Sequence, residues 1–395
     1  MAGEAAARDA RRSSWQFSSP GLRGALLAGA AALMLALIFT EKASRKMPDL
    51  EVYWTAAVRA RAAEPLYRAD DQHYQFKYLP AFAVLAIPGG LLRLTVAKGA
   101  WFALSILLLV ALIALSLALL PERRKPGWLI VTVTLLAMAK FFGHDLVLGQ
   151  MNILFAVVVV LALAALGDGR REAAGGALMA LAIVVKPYAV IFLPWLIVRR
   201  RAASIVAVSA GLLAVLALPA LVYGIAGDLE LHRAWWRTVT ESTAPNLTNP
   251  DNVSVAAMYA KWMGAGRTAA ALAVATTALL LASAGFVFLR RRQLPFPEGL
   301  EGAMLLTLIP LLSPQGWDYV FLVSTPAIVY LVNYEDRLPR PIRVLTMAAV
   351  AVIGLSLYDV MGRAAYGAFM GLSIISLSYF VVIAALCVLR AREVA

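Results

Sequence analysis

Long apolar runs alternate with short polar segments along most of this chain. Runs with little or no charge occupy residues 22–39, 99–120, 128–142, 151–166, 203–222, 268–289, 317–332, 344–359 and 366–389. Most of them approach the roughly 20 residues that a helix needs to cross a bilayer. Because lipid leaves the backbone no water to bind, such runs cross as helices. The pattern predicts an all-α polytopic integral membrane protein.

Two further apolar segments leave their path through the membrane open. Segment 79–92, "LPAFAVLAIPGGLL", is short and is interrupted by a proline and two glycines. Segment 173–198 has Lys186 followed by Pro187 in its middle, and proline breaks the hydrogen-bond ladder of a helix. Each segment either crosses the membrane or returns to the side it came from. With both unresolved, the pattern predicts about twelve membrane segments.

The amino-acid composition agrees with a membrane protein, and this changes how the net positive charge is interpreted. Hydrophobic residues make up 62% and charged residues 15% of the chain, and its mean hydropathy is +0.77. A soluble domain is about half apolar and a quarter charged. The net charge of +13 comes from arginines and lysines clustered at the ends of apolar runs, as topology signals are. We therefore expect membrane lipids as partners and no nucleic acid.

The basic clusters also predict an orientation. Three arginines precede the first apolar run and Arg23 lies at its start, which favours a cytoplasmic N-terminus and places loop 41–78 outside. The run itself is too long for a cleaved signal peptide and is expected to stay as an anchor. We expect a second external loop over 223–252, and a multi-pass protein of the plasma membrane. The predicted domains are a cytoplasmic tail 1–21, one membrane domain 22–390 and a cytoplasmic tail 391–395.

The first external loop is the most polar part of a largely apolar chain. Taken as a helix, residues 49–63 place Leu50, Tyr53 and Ala57 on one face, as in an amphipathic surface helix. Asp49 stands at its N-terminal end, where the positive helix pole keeps a carboxylate ionised. Asp49 is either a helix cap or a general base, and spacing alone leaves both open.

Other polar residues are candidates for binding an anionic or a hydroxylated substrate. Lys77, Arg59, Arg68, Arg233 and Arg237 lie in the external loops, where a cation either neutralises a phosphate or remains a surface charge. Lys186 interrupts an apolar segment, which marks a functional site unless it reaches an interface. Further candidates, each with an alternative structural role in capping or helix contacts, are Gln150, Asn152, Asn252 and Ser254.

Cysteine and histidine usage limits the chemistry. The sole cysteine, Cys387, lies in the last apolar run, so disulfides and cysteine-based metal sites are excluded. The three histidines, His73, His144 and His232, show no metal-ligand spacing. His73 lies close to Asp70 and Asp71 and is a candidate to touch substrate or to bind a divalent ion weakly. A phosphate-cradling glycine loop is missing, which argues against a nucleotide-sugar donor. We expect no cofactor and no resident metal, with a divalent ion left open.

A series of short motifs runs along nearly the whole chain. In order, the motifs are "PDLEVYWTAA", "EPLY", "FKYLP", "GQMN" at 149–152, "KPYAVIFLPWLIVRRR" at 186–201, "NPDNVSV" at 249–255 and "LLSPQGWDY" at 311–319. This ordered series resembles glycosyltransferase family 87, which is also catalogued as a domain of unknown function and includes the polyprenol-dependent α-mannosyltransferases of mycobacterial glycolipid synthesis.

The resemblance implies a GT-C type fold whose external side transfers a sugar from a polyprenyl-phosphate carrier with inversion. It implies that Asp49 is the catalytic base. Donor binding then falls to Lys77, Tyr78, Lys186, Gln150 and Asn152, and acceptor binding to Asn252, Trp317, Asp318 and His73. The mycobacterial enzymes carry histidine after the tryptophan of the last motif, where this chain has Asp318 and Tyr319. A role of that histidine does not transfer.

The resulting prediction is a membrane glycosyltransferase with a polyprenyl-phosphate hexose as donor. Mannose is the first candidate sugar, and a glycolipid or a cell-envelope glycan is the expected acceptor. The alternative is a lipid-linked sugar transporter or flippase, which also uses broken helices and an intramembrane charge such as Lys186. Transporters commonly show two related halves, and no such pair of related halves is visible in this sequence.

Overall fold

The computed structural model describes residues 37, 39–290 and 294–392, which fall into two compact units, 1–45 and 46–395. In the first unit, the described residues include one π-helical turn, Phe39–Ala43. The predicted tail 1–21 and nearly all of the predicted first span 22–39 lie outside the described residues. The α-helices of the described chain belong to the second unit.

The described part of the second unit is helical, with one isolated β-bridge between Asn252 and Trp317. Short 3₁₀ segments at Ala69–Tyr74, Pro187–Ile191, Ala244–Asn246, Asp318–Ser324 and Glu335–Arg337 connect or extend the α-helices. The α-helices are α1 Pro48–Arg61, α2 Pro80–Leu85, α3 Ile87–Gly90, α4 Leu94–Ala118, α5 Gly127–Leu148, α6 Asn152–Gly167, α7 Glu172–Val185, α8 Phe192–Val198, α9 Ala202–Ala217, α10 Ala220–Thr243, α11 Val255–Met263, α12 Arg267–Leu289, α13 Pro297–Leu312, α14 Thr325–Tyr334, α15 Arg340–Leu355, α16 Tyr358–Gly371 and α17 Ile374–Ala391.

Four helices in the described chain are long and apolar enough to cross a membrane: α4, α5, α12 and α17. Two bent pairs raise the number to six if each pair counts as one span, namely α9 with α10 at 89° and α15 with α16 at 106°. The shorter apolar helices include α6 and α7. The all-helical membrane character is thus present, while the count of twelve segments stays a prediction.

The core of the unit surrounds α13 and α14. Every residue of α14 is buried, as is α13 from Pro297 to Leu311. Gly302 allows the close approach of α6 to α13, because a Cβ there would stand 2.1 Å from the Leu163 side chain. This packing fixes the helices whose ends carry the polar residues described below.

Segment 79–92 does not form a helix long enough to cross. It forms α2 and α3, of six and four residues, which pack on α1. Ten helical residues rise about 15 Å, half of a bilayer core. Gly90 lies against Ala57 of α1, where an added Cβ would be 3.0 Å from the Ala57 Cβ. The structure therefore favours a segment that stays beside the first loop.

Segment 173–198 folds back on itself at Lys186. The α7 helix ends at Val185, Lys186 is extended, and the chain then returns through Pro187–Ile191 and α8. Its two ends meet, because Arg201 pairs with Glu172 and the Ser204 hydroxyl donates to the Glu172 carbonyl at 2.7 Å. The segment is a hairpin whose tip is Lys186.

The basic clusters gather in one belt at one end of the helices. The clusters at 123–125, 199–201 and 390–392 pair with acidic side chains from distant parts of the chain, and Arg392 also donates to the Arg337 carbonyl at 3.1 Å. These pairs include Arg124–Asp336, Lys125–Glu335, Arg199–Glu301, Arg201–Glu172 and Arg201–Glu298. Loops and helix ends that the positive-inside rule assigns to one compartment therefore lie together.

The two predicted external loops lie together at the other end. The Trp235 indole of α10 donates to the Lys77 carbonyl at 3.1 Å, and the Tyr223 hydroxyl donates to the Glu64 carbonyl at 2.9 Å. The α1 helix of the first loop, predicted over 49–63, runs from Pro48 to Arg61 with Leu50, Tyr53 and Ala57 buried as expected. Helix α10 thus covers the first loop.

Candidate active site

The turn after α5 brings Gln150 beneath the start of α1. Gly149 ends α5 with a φ of 72°, a left-handed conformation that glycine adopts without strain. A Cβ on Gly149 would stand 2.8 Å from the Leu50 Cβ and 3.1 Å from the Met47 Cβ. Glycine at this position therefore permits both the turn and the close approach of α1.

Gln150 joins five side chains from four parts of the chain. Its Nε2 donates to the Asp49 Oδ2 at 2.8 Å and lies 3.3 Å from the Tyr319 hydroxyl. Its Oε1 accepts from Tyr53, Tyr78 and Lys186. Below, the Gln150 cluster means Asp49, Tyr53, Tyr78, Gln150, Lys186 and Tyr319. Most of the predicted catalytic and donor-binding residues meet here.

Asp49 is not the cap of α1. Met47 occupies the N-cap position and Pro48 the first helical position, so Asp49 lies within the first turn. Its carboxylate is half-buried and reaches across to Gln150. The helix pole and the Nε2–H donor both favour an ionised carboxylate. The capping alternative for Asp49 is thereby set aside.

Two tyrosines complete the other side of the Gln150 amide. The Tyr53 and Tyr78 hydroxyl oxygens are 2.7 Å apart, and they lie 3.1 Å and 3.4 Å from the Gln150 Oε1. Burial raises the pKa of both tyrosines well above the usual value of 10.0, so both remain hydroxyl donors. With its oxygen accepting from these donors, Gln150 turns its nitrogen toward Asp49.

Lys186 brings a buried ammonium to the same amide. Its Nζ lies 3.2 Å from the Gln150 Oε1 and sits over the rings of Tyr78 and Tyr188, at 5.1 Å and 5.7 Å from their centroids. The side chain is buried, unlike that of a lysine reaching an interface. A buried cation beside an ionised carboxylate is the arrangement expected where an anionic group binds.

Lys77 lies beside the cluster, below α10. Burial lowers the pKa of its ammonium from the usual 10.5, and the negative charge of Asp49 opposes that shift. The influence of Asp49 shows that Lys77 and the carboxylate share one electrostatic environment. Lys186 therefore supplies a buried cation on the amide that also binds Asp49, and Lys77 supplies a second cation that the charge of Asp49 influences.

The predicted surface arginines form ion pairs instead. Arg59 donates to Asp71 at 2.7 Å and Arg68 to Glu64 at 2.6 Å. Arg233 and Arg237 both lie 3.7 Å from Glu230. The structure brings none of these four into the Gln150 cluster.

Asn152 lies close to the Gln150 cluster but is not part of it. It is fully buried at the first turn of α6 and donates from Nδ2 to the Asp145 Oδ1 at 2.8 Å. This contact ties the start of α6 to the end of α5. In the structure, Asn152 supports the turn that carries Gln150 and does not contact the Gln150 side chain.

The predicted acceptor-binding residues form a second group at the same end. Asn252 is buried and bonded to the backbone, with Nδ2 donating to the carbonyls of Asn246 and Pro314. Asp318, also buried, pairs with Lys140 at 2.6 Å, and Trp317 is half-buried beside it. Ser254 caps α11, accepting from the Ala257 N–H at 3.1 Å. The side chain of His73 lies outside the described part of the chain.

The model of glycosyltransferase family 87 matches residues 76–314, more than half of the chain. This chain belongs to glycosyltransferase family 87. No curated protein and no solved structure matches it. The family makes the chain a membrane glycosyltransferase. The matched range includes Lys77, Tyr78, Gln150 and Lys186, whereas Asp49 precedes it.

Within this glycosyltransferase, the sequence reasoning missed several site residues. Lys140 interrupts an apolar helix as Lys186 does, so the same intramembrane-charge argument would have found it. The roles of Tyr53 and Tyr319 left no local signal, since each reaches Gln150 across about a hundred residues or more. Across the described residues, no three histidine, cysteine, aspartate or glutamate side chains converge as metal ligands.

Proposed function

We propose that this family 87 glycosyltransferase moves a hexose from a polyprenyl-phosphate carrier to a glycolipid or cell-envelope glycan, with mannose as the first candidate sugar. The observation that supports this most directly is the meeting of the Asp49 carboxylate and the Lys186 ammonium on one Gln150 amide. A sugar transfer from a phosphate needs both a base for the acceptor and a cation for the leaving group.

In the proposed reaction, Asp49 takes the proton from an acceptor hydroxyl. The acceptor oxygen forms a bond to C1 of the sugar from the face opposite the phosphate, which inverts the anomeric centre. The bond from C1 to the phosphate oxygen breaks, and polyprenyl phosphate leaves with the electron pair. A positioned base contributes ~10²–10⁴-fold to such a step.

Lys77 and Lys186 stabilise the leaving phosphate in this scheme. Lys186 shares the Gln150 amide with Asp49, and the charge of Asp49 influences Lys77. Because Lys186 is buried, water screens its charge less than that of a surface lysine. The Gln150 oxygen and the Tyr78 ring hold the Lys186 ammonium in place.

The geometry also supports a lipid-linked donor. Helix α10, which covers Lys77, is broken at Gly224 by a φ of 69°, and after this break it leaves Ile225 and Leu229 exposed. An amphipathic helix with exposed apolar side chains suits the membrane surface, where a polyprenyl chain remains in lipid while its phosphate reaches Lys77. The donor head group and the acceptor would then meet at the membrane surface.

The basic belt supports the proposed sidedness. The arginine and lysine clusters lie at the end of the helices opposite the Gln150 cluster, and basic ends favour the cytoplasm. The proposal places Asp49 on the non-cytoplasmic face of the plasma membrane.

The proposal is tested with purified protein in lipid nanodiscs. Labelled mannosyl polyprenyl phosphate is supplied with a membrane-lipid extract as acceptor, and a nucleotide-linked mannose is supplied in a parallel arm. We expect labelled product from the lipid-linked donor alone. Product from the nucleotide sugar alone would overturn the donor assignment. Movement of the lipid-linked sugar across sealed vesicles without any transfer would favour the flippase alternative.

A further inference from the structure

A histidine and a buried carboxylate lie on the far side of Tyr319 from Asp49. The His144 Nδ1 is 3.8 Å from the Asp318 Oδ1, and the His144 side chain is 50% exposed while that of Asp318 is 1% exposed. A buried carboxylate facing one nitrogen of a solvent-reaching imidazole orients the ring and leaves the other nitrogen to a ligand.

The pair is contiguous with the Gln150 cluster. The rings of His144 and Tyr319 meet edge to face, with centroids 6.4 Å apart. The Tyr319 hydroxyl lies 3.3 Å from the Gln150 Nε2, which donates to Asp49. His144 therefore borders the same site as the proposed base, separated from it by one tyrosine ring.

The charge around His144 differs from the charge around Asp49. Lys140 pairs with Asp318 at 2.6 Å, so the carboxylate beside the imidazole is already neutralised. The Lys140 ammonium also sits over the Tyr366 ring, 4.8 Å from its centroid. Lys186 reaches the Gln150 amide on the Asp49 side of Tyr319, whereas Lys140, the lysine beside His144, is already paired with Asp318.

We propose that His144, oriented by Asp318, binds the sugar acceptor: its Nδ1–H points to Asp318 and its Nε2 accepts a hydrogen bond from an acceptor hydroxyl. Lys77 and Lys186 then bind the donor phosphate, and the His144 side, whose lysine is paired with Asp318, binds a polyol. Asp318 is a positioning residue in this arrangement, since it is buried and acts through His144. The inference rests on the proposed function and assigns the acceptor side of that same site.

The test separates acceptor dependence from donor dependence. Transfer from mannosyl polyprenyl phosphate is measured while the membrane-lipid extract is titrated, for wild type, His144→Ala and His144→Gln. Loss of one hydrogen bond raises the half-saturating amount of extract about fivefold to tenfold in His144→Ala. His144→Gln restores most of this, because its amide oxygen accepts near the position of Nε2.

The matched control is His232→Ala. His232 lies on α10 in a pair with Asp228, at 3.1 Å, and contacts none of the Gln150 cluster among the described contacts. We expect its titration to match wild type. An unchanged titration for His144→Ala, or a change that falls on the donor concentration instead, would overturn the acceptor assignment alone. No transfer by the wild type would overturn the proposed function and this assignment with it.

Discussion

Gln150 donates to the Asp49 carboxylate at 2.8 Å, although the two residues are 101 positions apart in the chain. The contact exists because Gly149 lets α1 approach the end of α5. The same amide accepts from Lys186 at the tip of a hairpin. One neutral side chain thus sets the distance between a carboxylate and an ammonium, which is the relationship that a sugar transfer from a phosphate requires.

The first prediction concerns this amide. Gln150→Leu removes the acceptor shared by Tyr53, Tyr78 and Lys186, so we expect the free energy of unfolding to fall by about 1–3 kcal/mol. Transfer falls by a further ~10-fold at temperatures where the variant is folded, because Asp49 loses its donor. Denaturant unfolding and transfer rates measure the two effects. Gln75→Leu is the control, since Gln75 makes only a 3.4 Å contact with a carbonyl. Equal transfer by Gln150→Leu and wild type would show that the amide does not position the base.

The second prediction concerns pH. Burial lowers the pKa of Lys77, so its charge is lost at a lower pH than the usual 10.5. If the Lys77 ammonium binds the donor phosphate, the half-saturating donor concentration rises as pH increases through that lowered pKa. Lys77→Arg moves the rise to higher pH, because arginine keeps its charge.

The sign of the linked stability effect distinguishes this from unfolding. The folded state holds the Lys77 proton less tightly than the unfolded chain does, so this residue makes the free energy of unfolding increase with pH over the same range. Unfolding would therefore not explain weaker donor binding. Lys46→Arg, an exposed lysine outside the Gln150 cluster, is the control. A donor profile unchanged in Lys77→Arg would contradict the role of Lys77.

The third prediction concerns Lys186. Lys186→Met keeps the length of the side chain and removes the ammonium, so we expect weaker donor binding and slower transfer. A hydrogen bond to a charged group is worth ~1.5–3 kcal/mol, which corresponds to roughly tenfold to a hundredfold. Lys125→Met makes the same change in the basic belt, where Lys125 pairs with Glu335. If Lys186→Met left transfer unchanged, or if Lys125→Met reduced it equally, the proposed role of Lys186 in donor binding would be wrong.

The fourth prediction concerns the hairpin between α7 and α8. In a Cys387→Ser background, Asp168→Cys and Ala203→Cys are labelled by an impermeant maleimide from the same side of the membrane. Both positions are exposed, and the Glu172–Arg201 pair holds the two ends together. Asp70→Cys, exposed in the first loop, is labelled from the other side. Labelling of positions 168 and 203 from opposite sides would mean that the segment crosses.

Local patterns in the sequence predicted the surface helix, the broken segment at Lys186 and the grouping of basic ends, because each follows from spacing or charge over a few residues. The position of Asp49 was also visible, but its two roles were not separable. Only the three-dimensional structure shows that Met47 is the N-cap of α1 and that the Asp49 carboxylate faces Gln150.

Contacts between distant parts of the chain were beyond local reasoning. From the sequence, Gln150 was a candidate for substrate binding or for helix contacts, whereas in the structure it joins residues from positions 49 to 319. The break between Gly371 and Ile374, where Ser373 adopts a φ of 56°, also left no mark in the apolar run 366–389. Tertiary packing determines where these features lie, and the hydropathy of the sequence carries no information about that packing.

The central claim is that Asp49 is the base of a transfer from a polyprenyl-phosphate sugar. The most direct test compares wild type, Asp49→Asn and Asp70→Asn for transfer of labelled mannose from mannosyl polyprenyl phosphate to a membrane-lipid extract. Asp70 is an exposed aspartate of the same loop and serves as the control. The account predicts wild-type transfer by Asp70→Asn and a loss of ~10²–10⁴-fold in Asp49→Asn with the fold intact. Transfer by a folded Asp49→Asn at the wild-type rate would contradict it.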